Sequence, residues 1–174
     1  MWREYVDEAL TACRQSLGSV ESMVDELRHA RVAHAPVFIA GNGGSEANAD
    51  HFAQDLLSAG LVATNLGSSN ARLTAYANDW GYDQAYSEML VRLCDRKSLV
   101  VAVTTSGNSR NLTRLAAEAK RRSTKVVALS GRDGGELKYF ADVEIRVPSW
   151  DPGVIESVHL LVMHYCIRML SIGD

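Results

Sequence analysis

His51 and Asp55 stand four residues apart in GNGGSEANADHFAQD, the stretch covering residues 41–55. On a helix that spacing puts an imidazole and a carboxylate on one face, where they can share a metal ion, a proton or a ligand. Glu156 and His164 fall eight apart in a late apolar segment, VIESVHLLVMH. Eight helical residues amount to a rotation of roughly 80° and a rise of ~12 Å. One ion would meet both side chains only at full stretch, so the spacing favours neighbouring sites or a site shared between subunits. From spacing alone His164, set in LLVMHYCI, reads as a histidine satisfied inside a core. His29, His34 and His159 carry no partner pattern.

Two polar loops offer places for an anion. In GNGGS (41–45), Gly43 and Gly44 permit positive φ and close backbone approach, the free N–H groups of a following helix attract negative charge, and Ser45 adds a hydroxyl. The loop lacks the lysine of a Walker motif and does not have GxGxxG spacing, which argues against a nucleotide site. In TTSGNS (104–109), Thr104, Thr105, Ser106 and Ser109 set four hydroxyls around one glycine. Four hydroxyls suit a phosphate monoester without a cationic side chain. The same residues also serve as helix caps. Two such loops in one sheet point to phosphate or sugar.

The elements that must hold these residues alternate. Trp2, Val6, Leu10, Cys13, Leu17, Val20, Val24 and Leu27 form an apolar stripe at helical spacing, a helix or a helix pair broken near Gly18. From Pro36, short apolar strands (36–40, 61–66, 98–104, 125–130, 141–148) alternate with helices (45–57, 70–94 interrupted at NDWGYD, 108–122, 154–170). That alternation predicts a parallel sheet covered on both faces, in one domain spanning 1–174 with a helical arm at 1–32 and an α/β core at 36–174. Ligands of such sheets sit at the carboxyl ends of the strands, where both polar loops fall.

Composition excludes some classes of function. The 174 residues are 47% hydrophobic and 22% charged, with a net charge of -3 and no block of like charge, so no footprint for nucleic acid is present. No run approaches the ~18 apolar residues of a membrane span and the N-terminus is charged, so a cytoplasmic protein is expected. Cys13, Cys94 and Cys166 are odd in number and sit among apolar residues, which predicts buried thiols instead of disulfides.

Taken together, FIAGNGGSEANADHFAQDL, ANDWGYD, VTTSGNSRN, ALSGRDGGELKYFADVEIRVPS and VIESVHLLVMH resemble the sugar isomerase (SIS) domain family, in its phosphoheptose isomerase branch, over nearly the whole chain. The resemblance implies a flavodoxin-like sheet and a homotetramer with active sites at subunit interfaces. It implies conversion of sedoheptulose 7-phosphate to glycero-manno-heptose 7-phosphate through an enediol. It places the catalytic pair at Asp55 and His164, and a zinc site at His51, Asp55, Glu156 and His164. Substrate contacts fall to Asn42, Gly43, Gly44, Ser45, Asp79, Thr104, Thr105, Ser106, Ser109 and Glu156, with Ser106 and Ser109 on the phosphate.

Three departures bear on the substrate. Asp55 is one methylene shorter than the usual glutamate, a displacement of ~1.5 Å that can cost ~100-fold in rate unless the helix compensates. Glu156 replaces the usual glutamine, and Ala59 stands near the position of an arginine, in a shortened loop. Isomerisation of another phosphosugar is one alternative. A second is a non-catalytic SIS tetramer binding a protein such as the bacterial replication initiator, and a third is a phosphosugar-sensing regulator. Four ligand-type side chains at 51, 55, 156 and 164 favour the enzyme.

Overall fold

The structure is a computed structural model that describes residues 1–172, the side chains of 17–19 apart; Leu17 of the expected stripe and the last two residues of the expected domain lie outside the described residues. Helices α1 (Trp2–Gln15) and α2 (Leu17–Val32) precede β1 (Pro36–Ala40), α3 (Gly44–Ser58), β2 (Val62–Asn65), α4 (Asn70–Trp80) and α5 (Tyr82–Leu93). Then come β3 (Leu99–Val103), α6 (Arg110–Arg121), β4 (Lys125–Gly131), a 3-10 turn (Leu137–Tyr139), β5 (Val143–Val147) and α7 (Pro152–Ser171).

All pairings are parallel and the strand order is β2-β1-β3-β4-β5, the flavodoxin-like arrangement. Alternate side chains of each strand feed two cores. Val37, Ile39, Leu99, Val101 and Val103 face α2, α3 and α7, while Phe38, Ala40, Val100 and Ala102 face α5 and α6. Strands buried on both faces must be apolar throughout, which is why LVVAV carries no polar residue.

Local signals set the boundaries. Ser69 caps α4 by accepting from the Arg72 amide, and Gly81, at φ 83°, separates α4 from α5. Asp151 caps α7 through the Gly153 and Val154 amides, with Pro152 in the first turn.

The N-terminal arm is the expected helix pair, and two other expectations need correction. The N-terminal arm divides: α2 buries Val20, Met23, Val24, Leu27 and Ala30 in the core, whereas α1 buries only Ala12 and lies over α7. Of the cysteines only Cys166 is buried, and burial pushes its thiol up to about 12; Cys13 and Cys94 are half-buried at helix edges, and all three are free. Finally, α7 is long and apolar enough, at 20 residues and mean hydropathy 1.2, to meet the measure of a membrane span. It is instead the central helix of one face, contacting α1, α2, α3 and the sheet, and it carries Glu156, His159 and His164.

Candidate active site

Helices α3 and α7 begin at the carboxyl edge of the sheet and run alongside each other away from it. His51 and Asp55 project from one face of α3, with His51 Nε2 3.3 Å from Asp55 Oδ2. His164 of α7 meets them: its Nε2 lies 3.2 Å from His51 Nε2, the rings edge to face with centroids 5.0 Å apart. One ligand atom from each of His51, Asp55 and His164 falls within 4.8 Å of the other two.

The donor set fits a divalent cation. Two bonds of about 2.1 Å opened to a tetrahedral angle separate ligand atoms by about 3.4 Å, close to the two spacings observed. Two imidazoles with a carboxylate are ligands for zinc and its neighbours. Glu156, the fourth residue of the expected ligand set, is not in this group among the described residues.

His164 is exposed, against the reading from spacing that set it in a core, and His159 is the fully buried histidine of α7. Five residues turn a helix by roughly 140°, so only one of the two can face the core. His159 Nε2 bonds the Ser130 carbonyl at 3.0 Å, its Nδ1 has no partner among the described residues, and burial pushes the imidazole down to about 4.

Both loops sit where expected, at the adjacent ends of β1 and β3, the switch point of the sheet. In the first, Gly43 is the α3 N-cap at φ 59°, Gly44 opens the helix and Ser45 is buried. The Asn42 amide is fixed from two sides. It exchanges hydrogen bonds with buried Asn111 (Nδ2 to Oδ1, 3.0 and 2.9 Å), and its Oδ1 accepts from the Tyr82 hydroxyl at 2.6 Å.

In the second, the hydroxyls divide their work. Thr104 Oγ1 accepts from the Ser106 and Gly107 amides, and Ser106 Oγ accepts from the Asn108 amide. Thr104, expected as a substrate contact, is therefore a buried brace of the turn. Ser109 is the N-cap of α6 yet makes no side-chain cap bond, so its hydroxyl and that of Thr105 stay free for a ligand among the described residues. Asp79 is exposed in the last turn of α4 and accepts from Asn78 Nδ2; the structure does not bring it to the His51 cluster.

The profile of the SIS domain family matches residues 1–131. The phosphoheptose isomerase of Helicobacter pylori strain P12 is 34% identical over 163 residues, covering 88% of this chain and 85% of that protein. That of Geobacter sulfurreducens is 33% identical over 157 residues, covering 87% and 83%. The structure of phosphoheptose isomerase GmhA from Neisseria gonorrhoeae superimposes with a TM-score of 0.93 at 28% identity, covering 98% of this chain and 94% of that one. The chain belongs to the SIS domain family, in its phosphoheptose isomerase branch.

In this SIS domain several site residues escaped sequence reasoning. Asn111 and Tyr82 hold Asn42, and only their nearness to TTSGNS and ANDWGYD marks them. Glu46 is the buttress of the first loop: it accepts from the Gly41 amide at 3.2 Å and from Asn65 Nδ2 at 2.7 Å. Burial raises its carboxyl above the ordinary glutamate range, partly offset by those two bonds. The GRDGG turn is the buttress of the second loop. The Gly107 carbonyl accepts from the Leu137 amide, Asn108 Oδ1 accepts from the Glu136 amide, and the Gly134 carbonyl fills the space a Cβ at Gly107 would need.

Glu156 lies at the head of α3. Its main-chain carbonyl accepts from Asn48 Nδ2 at 2.9 Å, and its carboxylate packs on Gly44, where no Cβ would fit.

Proposed function

We propose that this protein is an aldose-ketose isomerase that converts sedoheptulose 7-phosphate to D-glycero-D-manno-heptose 7-phosphate. The observation that carries the reading is the convergence of His51, Asp55 and His164 beside two anion-receptive loops in a chain of the phosphoheptose isomerase branch. Thr105, Ser106 and Ser109 with the α6 N-terminus take the phosphate, hydroxyl and amide donors replacing its water. Asn42, locked by Asn111 and Tyr82, and Ser45 at the head of α3 orient the sugar hydroxyls.

His51, Asp55 and His164 would hold a zinc ion. A divalent ion there supplies Lewis-acid stabilisation of the negative oxygen of an enediolate. The exposed imidazole of His164 moves a proton to and from the sugar oxygens. The carbon-bound proton requires a carboxylate, which the resemblance places at Asp55; the same side chain is also wanted by the metal.

The cluster is open to solvent, with His51 and His164 exposed, and the two helices that carry it also expose Leu57, Leu161 and Tyr165. An open metal site on helices with exposed apolar side chains suits a second copy covering it, in support of a homotetramer with active sites at its interfaces.

The deciding experiment is turnover of sedoheptulose 7-phosphate followed by NMR, before and after chelation and after zinc is restored. Turnover lost with the metal and regained with zinc supports the reading. No turnover by the zinc-loaded assembly overturns it in favour of another phosphosugar or a non-catalytic role.

A further inference from the structure

The Asn42 and Asn111 side chains close a ring of two N–H···O bonds between the first loop and α6. Asn42 Nδ2 donates to Asn111 Oδ1 at 3.0 Å, and Asn111 Nδ2 donates to Asn42 Oδ1 at 2.9 Å. Such a ring has two polarities, because turning both amides over exchanges every donor for an acceptor and keeps both bonds. Asn111 is buried and its amide has no further hydrogen-bond partner among the described residues, so nothing on the α6 side selects one polarity. Tyr82 is the group that does. Its hydroxyl stands 2.6 Å from Asn42 Oδ1, a spacing usual for O–H···O and short for N–H···O. The oxygen of Asn42 is therefore the atom that faces Tyr82, and the hydroxyl donates to it.

An amide has two lone pairs on oxygen and two N–H groups. Both lone pairs of Asn42 are engaged, by Tyr82 and by Asn111, and one N–H is held by Asn111. A ring of this kind uses the N–H on the carbonyl side of each amide, so the second N–H of Asn42 points away from Asn111. Asn42 is half-buried, and that N–H has no partner among the described residues. With the polarity reversed, a lone pair would stand where the N–H stands. The loop backbone and the head of α5 have anchors of their own: Tyr86, one turn beyond Tyr82, donates its buried hydroxyl to the Gly41 carbonyl at 2.9 Å, and Asp83 pairs with Arg110 of α6 at 3.6 Å. The bond from Tyr82 thus bears on the amide and not on the path of the chain.

We infer that the Tyr82 hydroxyl is a positioning group that sets the polarity of the Asn42–Asn111 pair, so that Asn42 meets the substrate as a hydrogen-bond donor. This assignment rests on the isomerase reading and deepens it. The partner of a lone N–H is an acceptor oxygen, and ketose and aldose each bring a carbonyl oxygen. A donor fixed before the substrate arrives needs no reorganisation when it binds. Without the phenol oxygen the two polarities come close in energy, and the substrate must itself draw Asn42 into the donor state. Tyr82 acts through Asn42 and takes no part in proton transfer.

The test is a double-mutant cycle on the zinc-loaded protein: the parent chain, Tyr82→Phe, Asn42→Ala and the two substitutions together. KM for sedoheptulose 7-phosphate is measured for each, with the inhibition constant of inorganic phosphate as a report on the second loop. Tyr82 is 48% exposed, so losing its hydroxyl leaves the fold standing. Tyr82→Phe is expected to raise KM about fivefold, the size of one neutral hydrogen bond, and to leave the phosphate constant within about twofold. Beside Asn42→Ala the same substitution is expected to change KM by less than about twofold, because the amide it orients is gone. A Tyr82→Phe chain with the parent KM, one that weakens substrate and phosphate alike, or one whose effect persists beside Asn42→Ala overturns the assignment. A parent chain that does not turn over this substrate overturns the isomerase reading instead, and the Tyr82 role falls with it.

Discussion

His51 Nε2 and His164 Nε2 face each other at 3.2 Å across the contact of α3 with α7, joining residues 113 apart in the chain. Without a cation one of the two must carry the proton between them; with one, both present lone pairs to it. His51→Ala is therefore expected to lose bound zinc and at least ~100-fold in turnover. Metal analysis of the purified variant, with its unfolding curve as a control, checks this.

His164→Ala removes both a ligand and the proton carrier at oxygen. The side chain is exposed, so folding and assembly are expected to stand while turnover vanishes. Sedimentation alongside the NMR assay measures both, and retained activity would take His164 out of the mechanism.

Gly107 sits at φ 69° with the Gly134 carbonyl where a Cβ would go. Gly107→Ala is expected to destabilise the fold by about 2 kcal/mol and to raise KM about tenfold, because the phosphate loop must shift to make room. Urea unfolding and initial rates report the two effects separately.

The buried imidazole of His159 has a folded value of about 4 against 6.5 unfolded. Above pH 6.5 both states are neutral and the group has no effect on stability. As pH falls from about 6.5 to about 4 the unfolded chain takes up a proton that the folded chain refuses, so stability drops by about 3 kcal/mol over that window. His159→Leu is expected to flatten this part of the stability profile, at a cost of about 1 kcal/mol at pH 7 for the lost bond to the Ser130 carbonyl. Urea unfolding at pH 7 and pH 5 compares the two chains.

Leu161 is 53% exposed and, with Trp2, Val6 and Leu10 of α1, lines an apolar groove between α1 and α7. In the proposed assembly a charge there would be buried without a partner. Leu161→Arg is expected to split the tetramer while the protomer stays folded, as read by sedimentation and circular dichroism.

The strands, the helices, the layered parallel sheet and the two loops were legible in the sequence because each has a local cause: apolar runs, helical stripes, glycines before a helix start. His51 and Asp55 were legible as a pair for the same reason, since one helix fixes their spacing. Which histidine of α7 faces solvent was not, because the helix is apolar nearly all round and its pattern leaves its rotation unset; packing of Val158, Val162 and Cys166 into the core turned His159 inward and His164 out. The company of Glu156 depended on two helices meeting, and the braces from Glu46, Asn111 and the GRDGG turn each join distant segments. The sequence by itself determined which groups were available for chemistry and which element carried each one. Only the tertiary structure decided which of them share a site, because side-chain distances between elements are set by packing and not by spacing along the chain.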